Sequence, residues 1–334
     1  MSQKKAGKKY WVGFDLGGTK MMATVFNDRF KPLASDRVKT RAQGGARQVL
    51  SRLLDTIQGA VSQAHLKMSA ISGIGVGCPG PLDLDRGVIL TAPNLGWQNV
   101  PLKQTLGKTF GCAVTIANDV DAGLYGEYRF GAAQKARCAL GVFPGTGLGG
   151  ACVYEGRLFR GQRSSCMEIG HIPVQPGGRL CGCGQRGCLE TVASRLAIAS
   201  EAAMAAHRGE APHLLDLAGT DVGAMKSGTL AKAIEAGDRG VEQIVRNAAQ
   251  MLGTALAGVV NLLAPDVLVL GGGLVEAMPN LFLGEVRKAV EGKAMKIFTS
   301  ELKIVVARLG DAATALGAAA LAAADVAEKE ESDS

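Results

Sequence analysis

The sequence predicts an α/β protein built from two related domains. Short apolar segments typical of strands alternate with longer segments of helical periodicity, which is the pattern of the α/β class. An apolar strand, a glycine–threonine turn and a returning strand occur over residues 11–26 and again over residues 139–154. No low-complexity linker separates the two halves. We therefore expect a hinged pair of domains, each opening with a hairpin.

Composition indicates a globular protein with a full core. The 334 residues suffice for two ordinary domains, with 47% hydrophobic and 20% charged residues. No run of 18 apolar residues is present, so we expect no membrane span, and the lack of an apolar signal core predicts a cytoplasmic protein. The net charge is +7, partly from Lys4, Lys5, Lys8 and Lys9, which are typical of a solvated tail rather than a nucleic-acid arm.

In the first half, residues 10–16 predict a strand and Met21–Phe26 the returning strand of a hairpin. The other elements predicted there are a helix over Val49–Ala64, strands over Ile71–Gly77 and Val114–Ala117, and a helix over Ala122–Tyr128.

The second half begins with a strand over Ala139–Phe143, and a second strand returns through Val153. The remaining elements predicted there are helices over Thr191–Ala206 and Gly240–Leu263, a buried strand over Val267–Leu270 and a helix over Ala312–Ala327.

Two glycine-rich turns, each after an apolar strand, are candidates for phosphate binding. The first comprises Asp15, Gly17, Gly18, Thr19 and Lys20, and the second Gly145, Thr146 and Gly147. Glycines leave backbone N–H groups open to phosphate oxygens, and a carboxylate can hold hydrated Mg²⁺. Either turn alone is more often an ordinary hairpin turn. The pair favours phosphate binding, without the spacing of a Walker loop.

Three cysteines and a histidine indicate a zinc site. Cys181, Cys183 and Cys188 lie within eight residues, and His171 lies ten residues upstream. The interleaved glycines let the chain turn so that three sulfurs and one imidazole converge on a closed tetrahedral site. The other five cysteines are scattered and odd in number, which favours reduced thiols over disulfides.

Three further motifs allow two interpretations each. Gly271, Gly272 and Gly273 follow an apolar strand, where either a flat ligand approaches the backbone or the chain turns into a helix. Asp119 follows another strand and could be a general base or a helix N-cap. The loop Pro93–Trp97, with its amide Asn94, could bind sugar hydroxyls or be a plain turn with a buried tryptophan.

Taken together, these motifs resemble the ROK family of bacterial sugar kinases and repressors. The resemblance covers about residues 10–320, and the His/Cys/Glu stretch is highly specific whereas single glycine turns are not. The matching segments are Asp15-Leu-Gly-Gly-Thr19-Lys20, Gly77-Cys-Pro-Gly80, Ala117-Asn118-Asp119, Gly145-Thr146-Gly147-Leu-Gly149-Gly150, Glu168-Ile-Gly-His171, Cys181-Gly-Cys183-Gly-Gln-Arg-Gly187-Cys188-Leu-Glu190 and Gly271-Gly272-Gly273.

The resemblance implies an actin-like ATPase (ribonuclease H-like) fold with two domains around a central cleft. A small domain would span residues 1–121, with the helix 312–327 packed back on it. A larger domain over residues 122–311 would carry the second phosphate turn, the zinc loop and an adenosine site at Gly271–Gly273. Homodimers or higher homo-oligomers are likewise expected only by resemblance.

The resemblance also implies a reaction, the transfer of phosphate from ATP with Mg²⁺ to the 6-hydroxyl of a hexose. Asp119 would be the base that takes the hydroxyl proton. The two glycine turns and Gly271–Gly273 would bind the nucleotide, and the zinc would be structural. The groups that would bind sugar hydroxyls are the backbone at Gly80 and the side chains of Asn94, Asn118, Glu168, His171 and Glu190.

The acceptor stays open at this point. The loop Pro93–Trp97 and the cysteine run look like those of ROK glucokinases, so glucose is expected. Alternatives are N-acetylglucosamine, N-acetylmannosamine, fructose or mannose. A sugar-sensing repressor of the same family is a different class. Such repressors carry a DNA-binding domain ahead of the first glycine turn, and residues 1–10 are too few for one.

Overall fold

The structure is a computed structural model that describes residues 8–162 and 166–332 and falls into two compact units. The first unit comprises residues up to 134 together with 158–166 and the chain from 311, and the second comprises 135–157 and 167–310. Lys4 and Lys5 lie outside the described residues. The boundary expected between residues 121 and 122 falls inside a helix, Asp119–Phe130, that lies wholly in the first unit.

Within the described residues, the strands, numbered in chain order, form three sheets. They are β1 Tyr10–Leu16, β2 Lys20–Phe26, β3 Pro32–Lys39, β4 Ile71–Cys78, β5 Leu82–Asp83, β6 Val88–Ala92, β7 Trp97–Val100, β8 Ala113–Asn118, β9 Cys138–Pro144, β10 Leu148–Tyr154, β11 Arg157–Leu158, β12 Val267–Leu270 and β13 Lys303–Val306.

The α-helices are numbered in the same way. They are α1 Gly45–Gln63, α2 Leu102–Phe110, α3 Asp119–Phe130, α4 Glu190–Ala193, α5 Arg195–His207, α6 Pro212–Ala218, α7 Ser227–Glu235, α8 Arg239–Leu263, α9 Gly273–Ala277, α10 Pro279–Lys293, α11 Lys296–Thr299 and α12 Ala313–Ser332. Over residues 8–162 and 166–332, none of these helices has both the length and the apolar character needed to cross a membrane.

The two large sheets have equivalent strand orders. The first is β3-β2-β1-β4-β8, in which β1 pairs antiparallel with β2 and parallel with β4. The second is β11-β10-β9-β12-β13, in which β9 pairs antiparallel with β10 and parallel with β12. The α/β class is confirmed. The strand–turn–strand echo in the sequence therefore marks the opening hairpin of two equivalent sheets.

Glycines let helix α12 lie directly on the first sheet. A Cβ atom on Gly13 of β1 would stand 1.8 Å from the carbonyl oxygen of Ala315, and one on Gly75 of β4 would stand 1.8 Å from that of Ala318. The helix is rich in alanine, so its backbone approaches the strands closely. Only residues without a side chain fit beneath it.

Several predicted helices differ at their ends, and α1, for example, begins at Gly45 rather than Val49. Helix α3 starts at Asp119 rather than Ala122, because the Asn118 side chain accepts hydrogen bonds from the first backbone N–H groups. Helix α12 continues to Ser332 rather than ending at Ala327. Its last turns consist of good helix formers, and Lys9 contacts Glu330 at 2.8 Å.

Replacing Gly75 by alanine should destabilise the first unit by at least about 2 kcal/mol, because the new methyl group would overlap the backbone of α12. Both tryptophans, Trp11 and Trp97, lie in this unit, so the fluorescence midpoint of urea unfolding measures the change. The matched control is Gly107→Ala in α2, where the nearest atom would be 3.9 Å away. That substitution should stabilise the helix by about 1 kcal/mol. Equal midpoints for both variants would contradict the prediction.

Candidate functional site

The first glycine turn is held from beneath by a buried threonine. Gly17 donates its N–H to the carbonyl of Lys20 at 3.1 Å, which closes the turn between β1 and β2. Thr40, fully buried after β3, donates its hydroxyl to the Gly17 carbonyl at 2.6 Å and its N–H to the Thr19 carbonyl at 2.9 Å. The sequence analysis missed Thr40, since nothing near it in sequence marks it as a partner of the turn.

Lys20 pairs with a carboxylate that the motifs did not reveal. Its ammonium lies 3.1 Å from Asp311, and the Arg37 guanidinium lies 2.7 Å from the same carboxylate. The three side chains are 46–64% exposed, so each ion pair contributes little to stability. The sequence predicted Lys20 as a donor to phosphate, and here it donates to Asp311. An exposed pair of this kind exchanges easily for another anion.

The side chain of Asp15, at the end of β1, is a carboxyl group whose surroundings disfavour its ionised form. Burial, and next the negative charge of Asp119, raise the pKa of Asp15 from 3.8 to about 6. The positive charge of Lys20 opposes that rise. A carboxylate that is costly to ionise gains most from a nearby cation, which fits the predicted role of Asp15 beside hydrated Mg²⁺.

The structure separates the two interpretations of Asn118 and Asp119. Asn118 is the N-cap, since its side-chain oxygen accepts hydrogen bonds from the N–H groups of Val120 at 2.9 Å and Asp121 at 3.4 Å. Asp119 is the first residue of α3, half-buried, and its Oδ1 accepts from Val120 at 3.0 Å. The helix N-terminus favours a charged carboxylate there. The capping role therefore belongs to Asn118.

Two other predicted residues of the first unit lie next to these groups. A Cβ on Gly80 would stand 3.6 Å from the amide nitrogen of Asn118, and a Cβ on Gly18 would stand 3.2 Å from the Cβ of Asn94. Asn94 thus lies against the first turn and Gly80 beside the cap. Trp97 of the same loop is 2% exposed and belongs to the core, which favours a buried tryptophan over a sugar-facing one.

The second glycine turn is held by the segment that begins α4 and α5. Arg195 donates its backbone N–H to the Gly145 carbonyl at 2.8 Å and its guanidinium to Thr146 Oγ1 at 3.3 Å. Glu190 Oε2 accepts the N–H of Leu148 at 2.9 Å. Gly145 also donates its N–H to the Gly147 carbonyl at 2.9 Å. The N–H groups of Thr146 and Gly147 are then the candidates for phosphate.

The Gly271–Gly273 segment lies against the strand that leads into this second turn. Gly271 donates its N–H to the Val142 carbonyl at 3.0 Å. A Cβ on Gly271 would stand 2.6 Å from the Phe143 ring, and one on Gly272 would stand 2.9 Å from the Pro144 carbonyl. The glycines therefore let the end of β12 lie against the end of β9.

The cysteine cluster has the dimensions of a tetrahedral zinc site. Single ligand atoms of His171, Cys181, Cys183 and Cys188 all lie within 4.8 Å of one another. Cys183 Sγ is 3.7 Å from Cys188 Sγ, and Cys181 Sγ is 3.5 Å from His171 Nδ1. With Zn–S bonds of about 2.3 Å, a tetrahedron places two sulfurs about 3.8 Å apart. Donor type and spacing both fit zinc.

Local backbone geometry explains why this loop needs its glycines. Gly184 and Gly187 have φ values of 87° and 78°, and a Cβ on Gly187 would stand 1.8 Å from the carbonyl oxygen of Gln175. Beyond the loop, the other ring nitrogen of His171 lies 3.9 Å from the exposed carboxylate of Glu168. Nδ1 thus faces the sulfurs, and Nε2 faces a predicted sugar-binding residue.

The structure therefore gathers the predicted site residues in two sets, one in each unit. The first unit holds Asp15, Gly17, Gly18, Thr19, Lys20, Gly80, Asn94, Asn118 and Asp119. The second unit holds Gly145, Thr146, Gly147, Glu168, His171, Cys181, Cys183, Cys188, Glu190, Gly271, Gly272 and Gly273. Sequence reasoning missed Thr40, Asp311 and Arg195, each of which contacts a glycine turn or its lysine from a distant part of the chain.

Comparison with known proteins finds one family over almost the whole chain. The model of the ROK family matches residues 11–325. The chain is 33% identical over 311 residues to the glucokinase of Thermotoga maritima, covering 93% of this chain and 96% of that protein. It is 31% identical over 321 residues to the N-acetyl-D-glucosamine kinase of Vibrio cholerae, covering 93% and 99%.

Two further likenesses concern the fold and a regulator. The ROK family glucokinase from Streptomyces griseus, solved with glucose and AMPPNP, has 31% identity and a TM-score of 0.82, covering 94% of this chain and 99% of that one. This likeness confirms the actin-like ATPase fold. The chain is also 29% identical over 315 residues to the xylose repressor of Caldicellulosiruptor bescii, covering 94% of this chain and 78% of that protein.

Asp15→Asn should stabilise the first unit at neutral pH and much less in acid. Because the folded-state pKa is raised from 3.8 to about 6, the ionised carboxylate destabilises the fold as pH rises through that range. The gain should grow to the order of 2 kcal/mol by pH 7. Urea unfolding followed by tryptophan fluorescence at pH 4.5 and pH 7.5 measures it. Asp55→Asn, on the exposed side of α1, is the control, and a gain independent of pH would refute the mechanism.

Cys183→Ser should abolish zinc binding, because a serine hydroxyl is a poor zinc ligand and the variant would keep only two thiolates and one imidazole. Metal analysis of the purified protein should give about one zinc per wild-type chain and almost none for the variant. Cys112→Ser, at a half-buried cysteine outside the cluster, should retain zinc. Full zinc content in the Cys183 variant would show that the cluster is not the metal site.

Proposed function

This chain belongs to the ROK family, and from that premise we propose that it is an ATP-dependent sugar kinase that phosphorylates the 6-hydroxyl of glucose. The observation that carries the proposal is the position of Asp119. Asp119 is the first residue of α3, and Asn118 supplies the cap that Asp119 would otherwise provide. The likeness to the glucokinases of Thermotoga maritima and Streptomyces griseus supports glucose as the acceptor.

Asp119 is proposed as the base. Phosphoryl transfer needs chiefly alignment and neutralisation of charge, so the protein's task at the acceptor is to orient one hydroxyl and accept its proton. The charge of Asp119 already acts on Asp15, whose pKa it helps to raise, so the two carboxylates share one electrostatic environment. Asn94, Asn118 and the backbone at Gly80, which lie close to these groups, are proposed to bind sugar hydroxyls.

The nucleotide phosphates are proposed to bind at the two glycine turns, with adenosine at Gly271–Gly273. The N–H groups of Thr146 and Gly147 would donate to phosphate oxygens, as would Lys20 once it exchanges Asp311 for phosphate. Asp15 would hold hydrated Mg²⁺, which supplies charge neutralisation when bound. That cation would also offset the repulsion that raises the pKa of Asp15.

The cysteine loop is proposed to position sugar-binding side chains rather than to take part in the transfer. Zinc, when bound, would hold the loop together and hold His171 by Nδ1. The proton of the neutral ring is then on Nε2, which can donate to a sugar oxygen. Glu168 and Glu190 are proposed as the acceptors for sugar hydroxyls beside it.

Another hexose is the main alternative to glucose. The N-acetyl-D-glucosamine kinase of Vibrio cholerae matches this chain at 31% identity, almost as well as the glucokinase of Thermotoga maritima at 33%. The likeness to the xylose repressor of Caldicellulosiruptor bescii makes a sugar-sensing regulator the second alternative. The carboxylate at Asp119 favours catalysis over sensing, because a sensor needs no base.

The proposal is tested by measuring ADP release from ATP and Mg²⁺ with zinc-loaded protein and a panel of hexoses. Turnover with glucose as the best substrate, by kcat/KM, is the expected result. The panel should contain N-acetylglucosamine, N-acetylmannosamine, fructose and mannose. A preference for one of these would keep the kinase chemistry and overturn the acceptor. Binding of sugar without turnover of any hexose would contradict the kinase proposal.

Asp119→Ala should lower kcat by at least about 100-fold, because the acceptor hydroxyl loses its base. Glucose should still bind, which isothermal titration calorimetry measures without turnover. Asp28→Ala, in the exposed turn between β2 and β3, is the control and should keep wild-type kcat. Unchanged kcat in the Asp119 variant would remove this residue from the proposed role.

A further inference from the structure

One short segment of the second unit connects the metal loop to the second glycine turn. Cys188 is the last of the predicted zinc ligands, and helix α4 starts two residues later at Glu190. Helix α5 then starts at Arg195, capped by Ser194, whose hydroxyl accepts the N–H of Ala197 at 3.2 Å. Only seven positions separate a metal ligand from Arg195, so a displacement of the loop carries directly into this segment.

Glu190 contacts both structures at once. Its Oε2 accepts the N–H of Leu148 at 2.9 Å, at the exit of the glycine turn, and its Oε1 lies 3.6 Å from Cys181 Sγ in the metal loop. A Cβ on Gly147 would stand 2.5 Å from Oε2, so a side chain at this position would displace the carboxylate. A residue expected only to bind sugar therefore also shapes the phosphate turn.

Arg195 holds the turn from the other side. The residue is 9% exposed, and its guanidinium donates to Thr146 Oγ1 at 3.3 Å and to the Met225 carbonyl at 3.4 Å. Its backbone N–H reaches the Gly145 carbonyl at 2.8 Å. A guanidinium has donors only, so the Thr146 hydroxyl accepts from it and keeps its own proton for another acceptor. This arrangement presents Thr146 as a donor, which is what a phosphate oxygen requires.

We propose that Glu190 and Arg195 are positioning residues for the second glycine turn, so that the fold of the metal loop sets nucleotide affinity even when no sugar is bound. The inference rests on the proposed function, since it takes the turn as the phosphate site. It adds that the metal loop influences binding of the nucleotide, the phosphate donor, as well as binding of the sugar, the phosphate acceptor. The physical basis is preorganisation: a turn already held in its binding shape loses less conformational freedom when the ligand binds.

The test is the affinity for AMPPNP with Mg²⁺, measured by calorimetry in the absence of sugar. Arg195→Met should weaken binding by about tenfold, since the Thr146 hydroxyl loses its orienting donor. Arg195→Lys keeps the charge but has one ammonium group instead of the forked guanidinium. Its AMPPNP affinity should lie between those of the wild type and Arg195→Met. Thr146→Val should weaken binding by a similar factor. The double variant Arg195→Met/Thr146→Val should be no weaker than the stronger single variant, because both remove the same interaction.

Glu190 is tested with a pair of variants that differ in hydrogen bonding. Glu190→Gln retains an oxygen that can accept the Leu148 N–H, so AMPPNP should bind nearly as in the wild type. Glu190→Ala removes that acceptor and should weaken AMPPNP binding by about tenfold. This pair also decides the matter if Arg195→Met fails to fold. Zinc content and thermal unfolding of each variant show whether the loop is intact.

Metal removal tests the coupling itself. Protein stripped of zinc with a chelator, freed of the chelator and then supplied with Mg²⁺ should bind AMPPNP at least about tenfold more weakly. The matched control for Arg195→Met is Arg246→Met, because Arg246 binds Glu242 and Glu285 on α8 and α10 and shares no partner with the turn. Its AMPPNP affinity should equal that of the wild type.

The outcomes separate this inference from the proposed function. Zinc-loaded wild type that binds AMPPNP no more tightly than stripped protein, Glu190→Ala and Arg195→Met would overturn the inference. Such a result would not bear on the proposed kinase activity, because the hexose panel measures that activity independently. A loss of sugar affinity with unchanged AMPPNP affinity would assign the metal loop to the acceptor alone, which also overturns the inference.

Discussion

Close approach of one backbone to another group is the constraint on which both units depend. Gly13 and Gly75 let α12 lie on the first sheet, and Gly147 admits the carboxylate of Glu190. Gly187 admits the Gln175 carbonyl in the metal loop in the same manner. At each of these positions a methyl group would overlap an oxygen. The glycines of this chain are therefore places of contact as much as places of turning.

Electrostatics in the first unit is organised around carboxyl groups that lie close together. Asp15 is largely buried and feels the charge of Asp119, while Asp311 draws Lys20 and Arg37 to itself. The charge of Asp15 is unfavourable for the protein alone, and a cation beside it would offset that cost, whereas Arg37 and Lys20 already stabilise the charge of Asp311 and hold its pKa below the usual value. The protein is thus less stable than it could be at the place where the proposed chemistry needs charge, which is common at active sites.

In the second unit, contacts from outside the second glycine turn hold it in place. Residues 145–147 contain two glycines, and one hydrogen bond within the turn, from the Gly145 N–H to the Gly147 carbonyl, closes it. Arg195 and Glu190 supply that hold from a segment attached to the metal loop. A structural metal in the cysteine loop would matter in this way, because it would hold the segment whose side chains hold the turn.

Much of the architecture could be predicted because it depends on local pattern. Apolar periodicity placed β1 and β12 at their observed bounds, Tyr10–Leu16 and Val267–Leu270. The repeated strand–turn–strand unit marked two equivalent sheets. Helix ends were less certain, since the start of α3 depends on which of Asn118 and Asp119 turns its side chain back to the helix.

The sequence by itself determined the fold class and the two glycine turns, and it predicted the four candidate metal ligands that the structure brings within 4.8 Å of one another, because residue type and short spacing decide each of them. Only the tertiary structure decided that Thr40, Asp311 and Arg195 serve those turns and that Trp97 is buried. Arg195 lies 49 residues after Thr146, and Asp311 lies 291 residues after Lys20. Such partners meet only when the sheets and helices have packed, so no pattern within a short window of sequence can report them.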